Sequence, residues 1–162
     1  MVKNRLSTLI LIFVLFTGLS LLLYPVVSDY WNSLTQSKAI ASYAEEVADL
    51  DEDKYQQLWL DAQAYNASLQ DRSNQYVLSE EQAAEYESLL NISGNGIMGY
   101  VEIPLIGCSL PIYHGTNDAV LQIAIGHLER TSLPSGGEST HSVLSGHCGL
   151  PSAKLFSDLD KL

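Results

Sequence analysis

The sequence predicts an α+β chain: an N-terminal transmembrane helix, then a helical hairpin, then a last third of strands and turns. Three observations carry this. Residues 6–23 are an uncharged run of 18 mostly apolar residues, the lower end of what spans a bilayer as a helix. Residues 29–69 have helical composition and, in their second half, an apolar face at helical spacing. From Ile97 onward, short β-branched and aromatic runs alternate with Gly and Pro.

The apolar run extends to Val27, which gives a comfortable span. Its Ser7, Thr8, Thr17 and Ser20 can bond back onto helix carbonyls, so they cost little in lipid. Lys3 and Arg5 precede it and Asp29 follows. The positive-inside rule then puts the N-terminus in the cytoplasm and the chain after Tyr30 outside. Tyr24, Tyr30 and Trp31 suit an interfacial aromatic belt. The alternative is a cleaved signal peptide ending near Val27, but the run is longer than the usual apolar core of a signal. Both readings export the rest of the chain.

The formal net charge is −11, and all 19 acidic residues lie after Ser28. That excludes nucleic acid as a partner on simple electrostatics, since phosphate contacts need clustered Lys and Arg. With 11 Gly, 5 Pro and 2 Cys, collagen-like and disulfide-scaffold classes also fall away.

Tyr55, Leu58, Trp59, Ala62 and Tyr65 define the face of the second helix, and Asp51-Glu52-Asp53 places acids at its start. A weaker stripe, Trp31, Leu34 and Ala41, marks the first. Residues 70–78 read as a loop. Ser79-Glu80-Glu81-Gln82 is a capping box that opens a short helix ending near Leu90. Strands are expected at residues 98–104, 107–113 and 142–145, with a short helix over 118–123 capped by Asp118.

Candidate chemistry lies in His114, His127, His141, His147, Cys108 and Cys148. Adjacent His147 and Cys148 make a poor chelate, so no metal site is expected. A Cys108–Cys148 disulfide is open to an exported chain. Ser145-Gly146-His147 lacks the pattern around a nucleophilic Ser. His147 follows Gly at a strand end, exposed enough to act as acid or base, although a lone His is more often structural.

Four blocks then stand in order: Gly99-Tyr100-Val101-Glu102-Ile103-Pro104; Leu110-Pro111-Ile112-Tyr113-His114-Gly115-Thr116; Gly126-His127-Leu128-Glu129-Arg130-Thr131-Ser132-Leu133-Pro134; and His141-Ser142-Val143-Leu144-Ser145-Gly146-His147, followed by Gly149-Leu150-Pro151. Together they resemble the first part of the catalytic domain of class C sortases, which assemble pili in Gram-positive bacteria. The resemblance implies an incomplete sortase-type β-barrel and a cysteine transpeptidase. In that family a Cys thiolate attacks an LPxTG-type sorting signal, and a pilin amine resolves the thioacyl enzyme. The partners implied are pilin subunits and the membrane; no cofactor is implied.

The family His falls on His147, expected to pair with the thiolate and protonate the leaving amine. The family's lid motif would fall on Asp71, Arg72 and Ser73, where its Pro and aromatic are missing. The implied division is a cytoplasmic tail (1–5), an anchor (6–27), an extracellular helical region with a degenerate lid (28–95) and a partial catalytic domain (96–162). The family's Cys, in a T-L-x-T-C strand, and its Arg follow the His; neither occurs in these 162 residues. Cys148 stands where the family shows Arg after the His, and Arg130 precedes it. The expectation is a truncated, inactive form; the alternative is a non-catalytic extracellular accessory module in pilus assembly.

Overall fold

The structure is a computed structural model that describes residues 2–69 and 78–162. Helix α1 (Val2–Ala48) carries the apolar run and continues unbroken past it. The span and the first polar helix, expected as separate elements, are therefore one rod. Its apolar window has a mean hydropathy of 2.5 and is wholly unburied by the rest of the chain, so α1 is long and apolar enough to cross a membrane.

Helix α2 (Glu52–Ser68) starts as its sequence predicts. Asp51 is the N-cap, accepting from the Lys54 N–H at 2.8 Å. Of its apolar face, Ala62 and Tyr65 are buried, Leu58 and Trp59 half-buried, and Tyr55 is at the rim. Helix α3 (Glu80–Ser88) opens with the complete capping box: Gln82 N–H to Ser79 Oγ and Ser79 N–H to Gln82 Oε1. The stripe assigned to the first polar helix is not what docks it. Trp31 is 70% and Leu34 41% exposed. α1 is instead fastened by polar groups: Asn32 Nδ2 donates to the Ser152 carbonyl, Gln36 Nε2 to the Ile123 carbonyl, and the Tyr43 hydroxyl to the Met98 carbonyl. α1 and α2 together wall an apolar cavity of about 420 Å³ against the sheet, with Tyr43, Val47, Leu58 and Trp59 facing Met98 and Ile112.

The described strands form one sheet in the order β1 (Ile97–Ile103), β2 (Cys108–His114), β3 (Ile125–His127), β4 (Leu144–Ser145). β1 and β2 are an antiparallel hairpin, in register from Gly99↔Ile112 to Ile103↔Cys108. Pro104 cannot donate to a ladder, so the strand ends in a short 3₁₀ turn. Gly107, at φ +61°, reverses the chain in a conformation that costs Gly little. β3 pairs parallel to β2, Tyr113 opposite Gly126, and β4 runs antiparallel to β3, Gly126 opposite Ser145.

The parallel pairing requires a crossover, which helix α4 (Asp118–Leu121) supplies. Its cap is Asn117, not Asp118: Asn117 Oδ1 accepts from the Val120 N–H at 3.1 Å. Residues 146–162 are turns, ending in a 3₁₀ turn at Leu159–Lys161. Of the apolar residues there, Leu155 is buried, Phe156 half-buried and Leu159 exposed. The core joins Ala62 and Tyr65 of α2, Tyr86 of α3, and Leu110, Ile112 and Ile125 of the sheet.

Candidate active site

His147 stands two residues beyond β4, half-buried. Its Nδ1 lies 2.9 Å from the carbonyl oxygen of Leu121. A carbonyl only accepts, so Nδ1 carries the proton in this bond and Nε2 keeps its lone pair. The carbonyl is available because Leu121 lies in the last turn of α4, where carbonyls have no partner within the helix. The cap at Asn117 thus helps set the imidazole 30 residues away.

Gly146 fixes the other side. A Cβ there would stand 2.7 Å from Ile125 Cγ2 and 2.8 Å from Phe156 Cδ2, well inside van der Waals contact, so the backbone before His147 is pressed flat on the core. The Phe156 N–H donates to the His147 carbonyl at 3.1 Å, and the Gly149 N–H to Ser157 Oγ at 2.8 Å. The turn after His147 is closed by these two bonds.

The other candidates are not gathered around it. Cys148 is next in sequence and exposed; Cys108 opens β2, half-buried, and both thiols are free, so they form no disulfide. Burial pushes the Cys108 thiol up, opposite to what an activated thiolate needs, although Lys154 nearby pulls it down. Arg130, at φ +69°, lines a separate cleft with Thr116 and Glu129. His141 is exposed. Asp71, Arg72 and Ser73 lie outside the described residues.

His114 and His127 are structural. His114 places Nδ1 3.0 Å from the Gly96 carbonyl and Nε2 2.8 Å from the Leu89 carbonyl, clasping the turn before β1. His127 is fully buried. Its Nε2 donates to the Ser132 carbonyl at 2.9 Å, which leaves Nδ1 to accept from the Tyr86 hydroxyl at 2.9 Å. The same hydroxyl accepts from the Gly115 N–H. Sequence reasoning missed this network because its members are 41 residues apart, with no local pattern linking α3 to β3.

Burial holds His127 below its usual pKa of 6.5, outweighing the bond to Ser132 that acts the other way. A folded-state pKa below the unfolded one gives stability that is complete above about pH 6.5 and is lost as pH falls toward the folded value. Unfolding free energy is therefore expected to drop by up to about 1.4 kcal/mol per pH unit from pH 6.5 downward. Denaturant titrations at pH 5, 6 and 7 measure the slope, and His127→Asn should flatten it. A wild-type slope equal to that of His127→Asn contradicts the assignment.

Residues 101–162 match the family model for the sortase domain. Solved structures agree across a longer stretch. Sortase C1 of Streptococcus agalactiae is 48% identical, with a TM-score of 0.73, over 77% of this chain and 65% of that one. Sortase C-1 of Streptococcus pneumoniae is 44% identical, with a TM-score of 0.62, over 77% and 65%. A Streptococcus pneumoniae sortase C, whose structure bears on catalysis and pilin substrate specificity, is 38% identical, with a TM-score of 0.63, over 77% and 63%. No curated protein matches the chain. The match is thus to the sortase domain over residues 101–162, and the likeness of the longer stretch is to the class C sortases. The chain spans slightly under two thirds of the length of each of these relatives.

Proposed function

We propose that this chain is the anchor-bearing and histidine-bearing part of a class C sortase that joins pilin subunits through LPxTG-type sorting signals. The observation that carries the reading is the pinned imidazole of His147: Nδ1 is held by the Leu121 carbonyl, and Nε2 is left for a thiol or substrate. In that role Nε2 takes the proton of the nucleophilic thiol, and the resulting imidazolium stabilises the thiolate. After attack on the Thr–Gly carbonyl, Nε2–H gives its proton to the leaving amine, and a thioester remains. The incoming pilin amine attacks the thioester carbonyl and loses a proton to Nε2; the amide bond forms as the C–S bond breaks and the thiolate is released beside the imidazolium. The tautomer fixed by Leu121 suits each of these transfers without a ring flip.

Neither thiol within residues 1–162 is placed to be that nucleophile. Cys148 is bonded to His147 in sequence and turned outward, and Cys108 sits in the hairpin strand with a raised pKa. The polypeptide of residues 28–162 alone is therefore expected to leave a fluorogenic LPxTG peptide uncleaved. Turnover by that polypeptide, abolished by Cys148→Ala, would show that this assignment of the nucleophile is wrong.

Residues 6–27 anchor the chain, with the N-terminus cytoplasmic and the rest outside. Support comes from the unburied apolar window of α1 and from Lys3 and Arg5 on one side of it. Protease added to intact protoplasts is expected to digest the chain after Tyr30; full protection of that region contradicts the topology.

A further inference from the structure

We infer that the turn over residues 148–157 rests in the lipid headgroup layer, so that His147 opens at the bilayer surface rather than facing bulk solvent. The inference rests on the proposed anchor and adds what that reading does not contain: a second, lipid-facing surface on the folded domain.

α1 runs from the apolar span into the domain without a break. Its fastenings follow one face of the helix. Asp29 Oδ1 accepts from the Lys154 N–H at 2.7 Å, Asn32 Nδ2 donates to the Ser152 carbonyl at 2.7 Å, Gln36 Nε2 donates to the Ile123 carbonyl at 2.7 Å, and the Tyr43 hydroxyl donates to the Met98 carbonyl at 2.9 Å. Spacings of three, four and seven residues keep these groups in line along the rod. The domain is thereby hung in a fixed order, with residues 152–154 nearest the span and Met98 farthest.

The distances decide where that first contact falls. The span ends near Val27, and Asn32 lies about 7.5 Å further along the axis at 1.5 Å per residue. The polar layer on each side of the hydrocarbon core is about 5–8 Å thick. The bonds at Asp29 and Asn32 therefore hold the turn within that layer. A cleft of about 580 Å³ records the same meeting: Pro25 and Val26, from the end of the apolar run, wall it on one side, and Leu150, Pro151 and Lys154 on the other. Tyr30, which also lines it, is 66% exposed, and Tyr24 and Trp31 of the same helix are 56% and 70% exposed. Aromatic side chains of this kind are at home among headgroups. The face sets Leu150 and Pro151 against acyl–glycerol groups, while Lys154 is held in an ion pair with Asp158 at 2.6 Å.

His147 is tied to this turn through the Phe156 N–H, and Cys148, exposed and adjacent, is a native reporter position. The test uses the full chain in nanodiscs of phosphatidylcholine and phosphatidylglycerol carrying a headgroup nitroxide. A bimane on Cys148, in a Cys108→Ser background, is compared with bimane at Ser28→Cys and at Asp53→Cys, each with Cys148→Ser. Quenching at Cys148 is expected to approach that at position 28 and to exceed that at position 53 several-fold. Asp29→Ala with Asn32→Ala should lower quenching at Cys148 and leave it unchanged at position 28. Strong quenching at position 28 with Cys148 no more quenched than position 53 overturns the inference. Absence of quenching at position 28 overturns the anchor itself, and the inference with it.

Discussion

Replacing Gly126 with Ala is expected to be the most damaging single methyl group in the chain. Gly126 lies in β3 between Tyr113 of β2 and Ser145 of β4. A Cβ there would overlap the carbonyl oxygen of Gly115 and stand 3.1 Å from its carbon and 3.2 Å from the Thr116 Cα. All three are backbone atoms of the turn where the chain leaves β2, so no rotamer change can relieve the clash. That turn also receives the Tyr86 hydroxyl, through the Gly115 N–H. Moving it breaks the Tyr86–His127 network and the parallel pairing together. A loss of roughly 3–5 kcal/mol follows from forced backbone displacement in a packed core. Gly146→Ala is a useful contrast, because its obstacles, Ile125 and Phe156, are side chains that can give; about 1–3 kcal/mol is expected there. Denaturant unfolding of both variants beside wild type measures the difference. A Gly126→Ala variant as stable as wild type contradicts the packing described.

Much of the local architecture was legible in the residues. The Ser79–Gln82 box and the acidic start of α2 at Asp51-Glu52-Asp53 are written in short-range chemistry, and each formed as read. So did the face from Leu58 to Tyr65, because helical periodicity and burial agree there. The seam on α1 was not legible. Asp29, Asn32, Gln36 and Tyr43 are mostly polar, so a search for apolar periodicity passes over them and selects Trp31 and Leu34, which stay exposed. β3 was not picked out as a strand, since three residues carry no alternation; its identity comes from β2, to which it pairs across α4. The move of the α4 cap from Asp118 to Asn117 is a one-residue ambiguity between two good capping residues. His147 was singled out by resemblance. Its local signal was weak, because the group that orients it, the Leu121 carbonyl, belongs to every residue type alike.

His147→Ala is the second large effect, and it bears on the central claim, that this chain supplies the acid–base of a class C sortase site. The measurement is turnover of a fluorogenic LPxTG peptide by a chimera in which residues 28–162 replace the matching part of sortase C1 of Streptococcus agalactiae. The 48% identity to that protein supports a clean graft. The parent chimera is expected to turn over the peptide. His147→Ala is expected to lower turnover by at least about 100-fold, the usual lower bound for a lost general acid–base, while leaving the unfolding midpoint unchanged. A folded His147→Ala chimera that keeps turnover within about tenfold of its parent, too small a loss for a general acid–base, would contradict the account.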